Sequence, residues 1–167
     1  MTNQNQNTIL HPIPPLYDKN SRTLILGSFP SVKSREASFF YDHPQNRFWK
    51  LLALIFDEEV PVTIEEKKSL VLRNGLALWD TVHSCTITGS SDSSIKNAVP
   101  NDISVILQNS RVDRIFCNGA AAYNLYRKYI YPKTGTEAVK LPSTSPANAA
   151  FSIDRLLKSW RAIAIDN

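Results

Sequence analysis

A three-layer α/β/α sandwich around a central four-stranded parallel sheet is the fold this sequence predicts, and three observations predict it. Four short apolar runs each end in a chain-breaking or turn-forming residue. Helical periodicity fills the intervals between them. No repeat or linker divides the chain, whose 167 residues suit one domain. Strands that alternate with helices pair in parallel through right-handed crossovers, which leaves helices on both faces.

Residues 1–20 are expected to form a flexible N-terminal arm. Met1 to Thr8 are polar, and Pro12, Pro14 and Pro15 then punctuate the segment. Residues 21–167 form the expected domain. Its first strand is Thr23-Leu24-Ile25-Leu26, ending in Gly27. A helix follows on Phe48, Leu51, Leu52, Ile55 and Phe56, spaced i, i+3, i+4, i+7 and i+8. Thr63-Ile64-Glu65-Glu66 has the form of a capping box and opens a second helix, which Gly75 stops. The second strand is Leu76-Ala77-Leu78-Trp79. Ile103, Ile106 and Leu107 mark a helix capped by Asn101 or Asp102. The third strand, Arg114-Ile115-Phe116-Cys117, ends in Asn118-Gly119, and Tyr123, Tyr126 and Ile130 mark the helix after it. Ala138-Val139-Lys140-Leu141 is the fourth strand, interrupted by a lysine and closed by Pro142. The clearest apolar stripe, Ile153, Leu156, Leu157, Trp160 and Ile163, belongs to a C-terminal helix. Continuous apolar character in the first three strands suits burial on both faces.

Composition narrows the chemistry. A hydrophobic share of 43% supports a packed core, and a net charge of +4 permits a polyanionic partner without demanding one. Cys85 and Cys117 stand outside any CxxC pair, so neither zinc nor an iron–sulfur cluster is expected, and both read as reduced, buried thiols. The start lacks the basic and apolar regions of a signal peptide. No apolar stretch approaches the ~20 residues that span a bilayer. The expected compartment is the cytoplasm, or the nucleus in a eukaryote.

In open parallel sheets ligands bind beyond the carboxyl ends of the strands, and two segments there have unusual composition. Gly27-Ser28-Phe29-Pro30-Ser31 is a Gly/Pro turn that matches neither GxGxxG nor GxxxxGK[ST], which removes dinucleotide and P-loop readings. Leu141 to Asn148 holds Ser143, Thr144 and Ser145, whose hydroxyls and N–H groups suit phosphate; the other reading is a rigid loop with Asn148 capping the last helix. No GxSxG elbow accompanies these serines. Between the two lies Phe39-Phe40-Tyr41-Asp42-His43-Pro44-Gln45-Asn46-Arg47-Phe48-Trp49. Its aromatic run offers a stacking platform for a base. Asn46 carries both a donor and an acceptor, so it either orients a water or reads a base edge, or it caps the Phe48 helix. Asp92, in a Ser-rich stretch, reads as a turn former.

Taken in order, these segments resemble the uracil-DNA glycosylase superfamily. Gly27 to Ser31 sits where that superfamily has its first motif, and Leu141 to Pro146 fits its second. His43-Pro44-Gln45-Asn46-Arg47-Phe48-Trp49-Lys50 is similar to the mismatch-specific uracil-DNA glycosylases. Ala77 to Asp80, Asp92 to Ile95, Pro100 to Asp102 and the Leu-Pro-Ser-Thr-Ser-Pro-Ala-Asn run resemble the hypoxanthine-DNA (deoxyinosine) glycosylase branch. The resemblance covers residues 22 to 161. Phe29 stands where the superfamily's first motif has its catalytic carboxylate or amide, and Leu141 where the second often has His or Asn.

What the resemblance implies is a monofunctional, metal-free and cofactor-free DNA glycosylase that acts as a monomer on DNA containing a deaminated base. Hypoxanthine is the expected base, with uracil and xanthine next; a non-catalytic lesion binder on the same fold is the alternative. Asn46 would carry the chemistry. Gly27, Ser28, Phe29, Phe40 and Tyr41 would bind the flipped base. Ser31, His43, Ser143, Thr144, Ser145 and Asn148 would contact DNA. Apart from the resemblance, Arg35, Arg47, Lys50 and Lys133 read either as solvated surface charges or as further phosphate contacts. No lysine stands in a motif position, so no Schiff base is expected.

Overall fold

The computed structural model describes residues 8–164. Four strands, β2 (Thr23–Gly27), β3 (Leu76–Asp80), β6 (Arg114–Asn118) and β7 (Ala138–Leu141), form a parallel sheet in the order β3-β2-β6-β7. The expected parallel sheet is therefore present. β2, in the centre, is buried along its whole length. β7, at one edge, exposes Val139 and Lys140, which accounts for the lysine in its sequence.

Helices cover both faces. Trp160 of α7 (Ile153–Trp160) meets Phe48 of α2 (Phe48–Phe56) edge to face at 5.9 Å, and both pack in the cluster that holds Ile25, Leu76 and Leu78 of the sheet. The alternate residues Leu24, Leu26, Ala77, Ile115 and Cys117 face the other way, against Ile103, Ile106, Ala122, Tyr126 and Ile130. This alternation is the two-residue period of a strand with both faces covered. The capping box at Thr63 is formed at the start of α3 (Ile64–Arg73): Glu66 N donates to Thr63 Oγ1 at 3.1 Å, and Thr63 N donates back to Glu66 Oε1 at 3.0 Å. Asp102 accepts from Ser104 N at the start of α4 (Ser104–Gln108), whereas Asn101 is buried and donates to Asp80 O and Val82 O.

Three features depart from the sequence expectation. Pro30 is followed by a short helix, α1 (Val32–Ala37), with Ser31 as its N-cap. A second, antiparallel sheet joins β1 (Ile9–Leu10), β4 (Val82–Thr86) and β5 (Lys96–Pro100) in the order β1-β4-β5. In the third, the segment expected as an N-terminal arm makes specific contacts from residue 9 to residue 16, while residues 1–7 of the arm lie outside the described region. Leu16 and Leu78 exchange backbone hydrogen bonds, Trp79 Nε1 donates to Ile13 O, and Ile13 is buried. The physical reason is the open edge of β3: its unpaired N–H and C=O groups need a partner, and this segment supplies one.

Candidate active site

The carboxyl ends of β2, β3, β6 and β7 open into a cavity of about 300 Å³, the lower end of the ~300–1,000 Å³ range of small-molecule sites. Gly27, Ser28, Phe29, Ser31, Phe40, Tyr41, His43, Asn46, Ser143, Thr144 and Ser145 all line it. Of the candidates read from the sequence, Asn148 stands outside the lining; its Nδ2 donates to Ser143 O and braces the loop from behind.

Two glycines let the chain segments close on one another. A Cβ on Gly27 would fall 2.4 Å from Asp80 Oδ1 and 3.1 Å from the Tyr41 hydroxyl, so the first turn needs glycine for space. Gly119, at φ +96°, needs it for conformation as well, and a Cβ there would meet Ser143 Cβ at 3.1 Å. These contacts seat the Tyr41 segment and the Ser143 loop against the strand ends.

Asn46 is central to the hydrogen bonding. Its Oδ1 accepts from Phe48 N at 2.9 Å and from Thr144 Oγ1 at 2.8 Å. Thr144 is fully buried; its Oγ1 accepts from Asn118 Nδ2 at 3.0 Å and its N–H donates to Asn118 Oδ1 at 3.0 Å. The backbone donor Phe48 N fixes which end of the Asn46 amide is oxygen. Both lone pairs of that oxygen are occupied, so the amide's uncommitted groups are its two N–H hydrogens.

Tyr41 adopts a left-handed backbone at φ 51°, a strained conformation for a large side chain that is common at functional sites. Its ring stacks on Phe48 at 4.1 Å between centroids. Its hydroxyl is sealed and makes no hydrogen bond of ordinary geometry, with the Asn118 side chain the group placed to take one. Burial, followed by the negative charge of Asp80, pushes the phenol well above its ordinary pKa, so it stays protonated. Phe40 and Phe29 contribute walls from the core side: Phe40 is buried against Phe39 and Tyr41, and Phe29 lies edge-on to His11 at 5.9 Å beneath the Arg35 guanidinium.

The rim is formed by the Ser143–Asn148 loop and by Asp92. Inside the loop the N–H groups of Thr144, Ser145, Ala147 and Asn148 are all taken by Asn118, Ser143 Oγ, Ser145 Oγ and Ser145 O. Those four backbone donors are committed, which corrects the expectation for them and leaves Ser143 N–H as the backbone donor of the loop without an acceptor there. Hydroxyl hydrogens of Ser143 and Ser145 remain. Arg47 is corrected too: its guanidinium donates to the carbonyls of Thr144, Phe151, Ser145 and Asn148 and locks the loop to α2 instead of reaching solvent. Asn148 does not cap the last helix; Ser152 does, accepting from Arg155 N at 3.2 Å. His43 Nδ1 accepts from Gln45 N at 3.1 Å, which places the proton of the neutral ring on Nε2.

Sequence reasoning missed Asp80, Asn118 and His11, and it read Asp92 only as a turn former. Asp80 and Asn118 end β3 and β6 and line the cavity. The rule that ligands bind beyond the carboxyl ends of strands pointed to both positions. Ile13 N donates to His11 Nδ1, so Nε2–H faces Asp80 Oδ2 at 2.7 Å, with the two side chains 2% and 5% exposed. This bond holds one oxygen of Asp80 and leaves Oδ1 at the Gly27 turn. Asp92 Oδ1 accepts from Ser28 Oγ at 2.7 Å. Surrounding protein raises the Asp92 pKa, the Ser28 bond opposes that rise, and Asp80 adds to it. Cys117 behind the site is free and buried, its thiol pushed up to about 12 by desolvation.

Comparison with known proteins places this cavity. A hypoxanthine DNA glycosylase from Methanosarcina acetivorans is 33% identical over 151 residues, 90% of this chain and 94% of that protein. Another from Methanosarcina barkeri is 34% identical over 94 residues, 56% of this chain and 60% of that protein. The solution NMR structure of a Methanosarcina acetivorans protein, described there as a candidate uracil DNA glycosylase, superposes with a TM-score of 0.78 at 32% identity, covering 91% of this chain and 94% of that one. The family model of the uracil DNA glycosylase superfamily matches residues 14–164, and the chain belongs to that superfamily.

Proposed function

We propose that the protein is a monofunctional DNA glycosylase that hydrolyses the N-glycosidic bond of a deaminated base, hypoxanthine first among them, in DNA. The observation that carries this reading is the placement of Asn46 and Tyr41 in one cavity at the strand ends, with a relative named hypoxanthine DNA glycosylase matching 90% of the chain. A base inside a duplex cannot reach such a cavity, so the target nucleotide leaves the stack and enters it. The face of Tyr41 opposite Phe48 stacks on the base. A deaminated base presents a ring N–H beside a carbonyl; Asp80 Oδ1 accepts from that N–H. Adenine has a bare ring nitrogen at the same place and meets the carboxylate with a lone pair.

Bond cleavage passes through an oxocarbenium-like sugar, which calls for a placed water and electrostatic help more than a strong base. The N-glycosidic bond breaks with its electron pair leaving on the base; Asn46 Nδ2 donates to the water, whose other lone pair bonds C1′, and the proton that the water sheds ends on the departed base. The bond from Thr144 and the Asn118 amide behind it hold the Asn46 side chain in one rotamer. Hydroxyl groups of Ser143 and Ser145 and the ring of His43 donate to phosphates beside the lesion. The reaction uses the protein's own side chains as a monomer, with no metal or cofactor assigned a step.

A specific observation favours a second reading, a lesion binder that does not cut. Phe29 and Leu141, which occupy the polar positions of the superfamily's two motifs, are buried. Single-turnover assays on oligonucleotides carrying hypoxanthine, uracil, xanthine or a thymine mismatch decide between the two. Release of free hypoxanthine, leaving an abasic site, is the expected outcome. Tight binding to the deoxyinosine duplex with no base released from any substrate would establish the binder.

A further inference from the structure

Beside the cavity, one helical run carries a ladder of cations and aromatic rings. α5 (Ala120–Leu125), a π-helical turn (Tyr126–Ile130) and α6 (Tyr131–Thr134) are continuous. Tyr123, Arg127 and Tyr131 follow one another at i, i+4 and i+8 on it. The Arg127 guanidinium lies 5.9 Å from the Tyr123 ring centre and 5.7 Å from that of Tyr131. Lys140, on edge strand β7, reaches the Tyr123 ring at 5.9 Å, and Lys128 reaches Tyr129 at 5.1 Å. All three cations are exposed, and the three tyrosines are half-buried.

The charge balance favours an anion. Glu137 stands 3.9 Å from Arg127, with both side chains in solvent, where such a pair contributes little. Asp102 faces the neighbouring Lys133. Lys128 and Lys140 have no acidic partner within salt-bridge distance among the described residues. Arg127 Nη1 donates to the Tyr123 hydroxyl at 3.4 Å and faces Glu137, which leaves Nη2 and Nε for phosphate oxygens, and the rings limit the rotamers lost on binding.

The ladder lies outside the cavity lining and is joined to it at one end, from which the helical run leads away. Lys140 immediately precedes Leu141, and Gly119, the N-cap of α5, packs against Ser143. From Tyr123 to Tyr131 the helix rises about 12 Å, room for roughly three phosphates of one strand. We propose that Arg127, Lys128 and Lys140, set on Tyr123, Tyr129 and Tyr131, form a track for the phosphate backbone of DNA flanking the flipped nucleotide. The track rests on the reading of the protein as a DNA enzyme and extends its footprint beyond the cavity.

The test is the triple variant Arg127→Ala/Lys128→Ala/Lys140→Ala, with folding checked by circular dichroism. Fluorescence anisotropy on a long duplex, undamaged or carrying deoxyinosine, is recorded over a salt series. Affinity at low salt should fall about tenfold or more, and the slope of log K against log salt should flatten by about 2–3, since each lost phosphate contact removes ~0.9. Single-turnover cleavage at saturating enzyme should match the wild type. Glu137→Lys, which removes an anion and adds a cation, should raise affinity and steepen the slope, and it tests the track even if the triple variant unfolds. Wild-type slopes in a folded triple variant would overturn the track, as would a Glu137→Lys variant with unchanged affinity. So would a triple variant that loses binding to anionic phospholipid vesicles while DNA affinity stays the same. Binding to undamaged duplex scores the track even if the wild type cuts none of the damaged substrates, an outcome that would reject the glycosylase reading alone.

Discussion

Thr144 and Asn46 stand 98 positions apart in the chain, yet the Thr144 hydroxyl donates to Asn46 Oδ1 at 2.8 Å. Because Thr144 also accepts from Asn118, one hydroxyl joins the end of β6, the Ser143 loop and the entry to α2. Thr144→Val keeps the shape and deletes the hydroxyl. It leaves the half-buried Asn118 Nδ2 without its acceptor, at a cost of about 0.5–1.5 kcal/mol. Cleavage should slow as the Asn46 amide is freed to rotate. Thr144→Ser should recover most of both losses. Equal rates for the Val variant and the wild type, measured under single-turnover conditions, would show that this link does not position Asn46.

Asn46 itself both closes a turn and faces the cavity, and the structure separates the two roles by atom. Oδ1 takes the Phe48 N–H, whereas Nδ2 is uncommitted. Asn46→Asp keeps the acceptor and loses the donors; its stability should stay close to wild type while cleavage falls on the order of a hundredfold or more. Asn46→Ala should lose the same rate and about 1 kcal/mol of stability in addition. Melting temperature and single-turnover cleavage measured side by side read both. An Asp variant that is stable and fully active would leave Asn46 a structural residue alone.

Much of this arrangement was legible in the sequence. Each strand of the parallel sheet was marked by a short apolar run bounded by a turn residue, whereas Lys140 read only as an interruption until the fold put β7 at the edge. The antiparallel sheet was not legible, because Val82–Thr86 and Lys96–Pro100 mix polar and apolar residues without sustained alternation, and their pairing contains register shifts. The N-terminal segment looked unstructured because its three prolines suppress any periodic signal; what holds it is a long-range edge pairing that local sequence does not encode. In the site, the segments were visible but their internal commitments were not. Arg47 looked like a surface cation, and only the folded loop around it reveals four carbonyls converging on its guanidinium. Asp80 and His11 are 69 positions apart, a distance across which no spacing pattern points to a pair.

Gly27 gives a prediction that depends on space rather than flexibility. A methyl group there would sit 2.4 Å from Asp80 Oδ1, closer than any relaxed contact. Asp80 cannot swing away cheaply, because His11 holds its other oxygen. Gly27→Ala should therefore cost about 1–3 kcal/mol, as overpacking does, and should depress cleavage by displacing the carboxylate and Tyr41. Denaturant unfolding and the cleavage assay on the same preparation check it; wild-type values in both would mean that the turn yields without strain.

Asp92 predicts a pH dependence of stability. Its pKa is raised in the folded protein above the ordinary 3.8, so the folded state binds its proton more tightly than the unfolded state does. For a carboxylic acid shifted upward, stability falls as pH rises from the unfolded pKa through the folded one, and the loss persists at neutral pH. Asp92→Asn removes the charge and retains an oxygen for Ser28. Because Asp92 is exposed to screening by solvent, the variant should melt only slightly above the wild type at neutral pH, and the gap should close as pH drops toward and below 3.8. A melting difference independent of pH between acid and neutral conditions would exclude Asp92 as its source.

Tyr41 joins stability and function in one ring. Its hydroxyl is buried between the Gly27 turn and Asp80 with no hydrogen bond of ordinary geometry, although Asn118 is placed to take one, an arrangement that penalises the folded state. Removing an unsatisfied buried donor relieves about 1–3 kcal/mol of desolvation cost, less whatever packing the oxygen supplied. Tyr41→Phe should therefore melt higher, by about 2–4 °C for each kcal/mol recovered in a chain of this size. Because the hydroxyl is sealed from solvent, the base would meet the ring and not the oxygen, so the Phe variant should cleave within a few-fold of wild type. Tyr41→Ala removes the ring from Phe48 as well as from the base. Base–aromatic stacking is worth about 1–3 kcal/mol, so cleavage should weaken by roughly ten- to a hundredfold, and melting should fall with the lost stack. The two variants together separate ring from hydroxyl. If Tyr41→Phe melts lower and loses activity like Tyr41→Ala, the hydroxyl has a partner in solution; if a folded Tyr41→Ala cuts at the wild-type rate, Tyr41 does not hold the base.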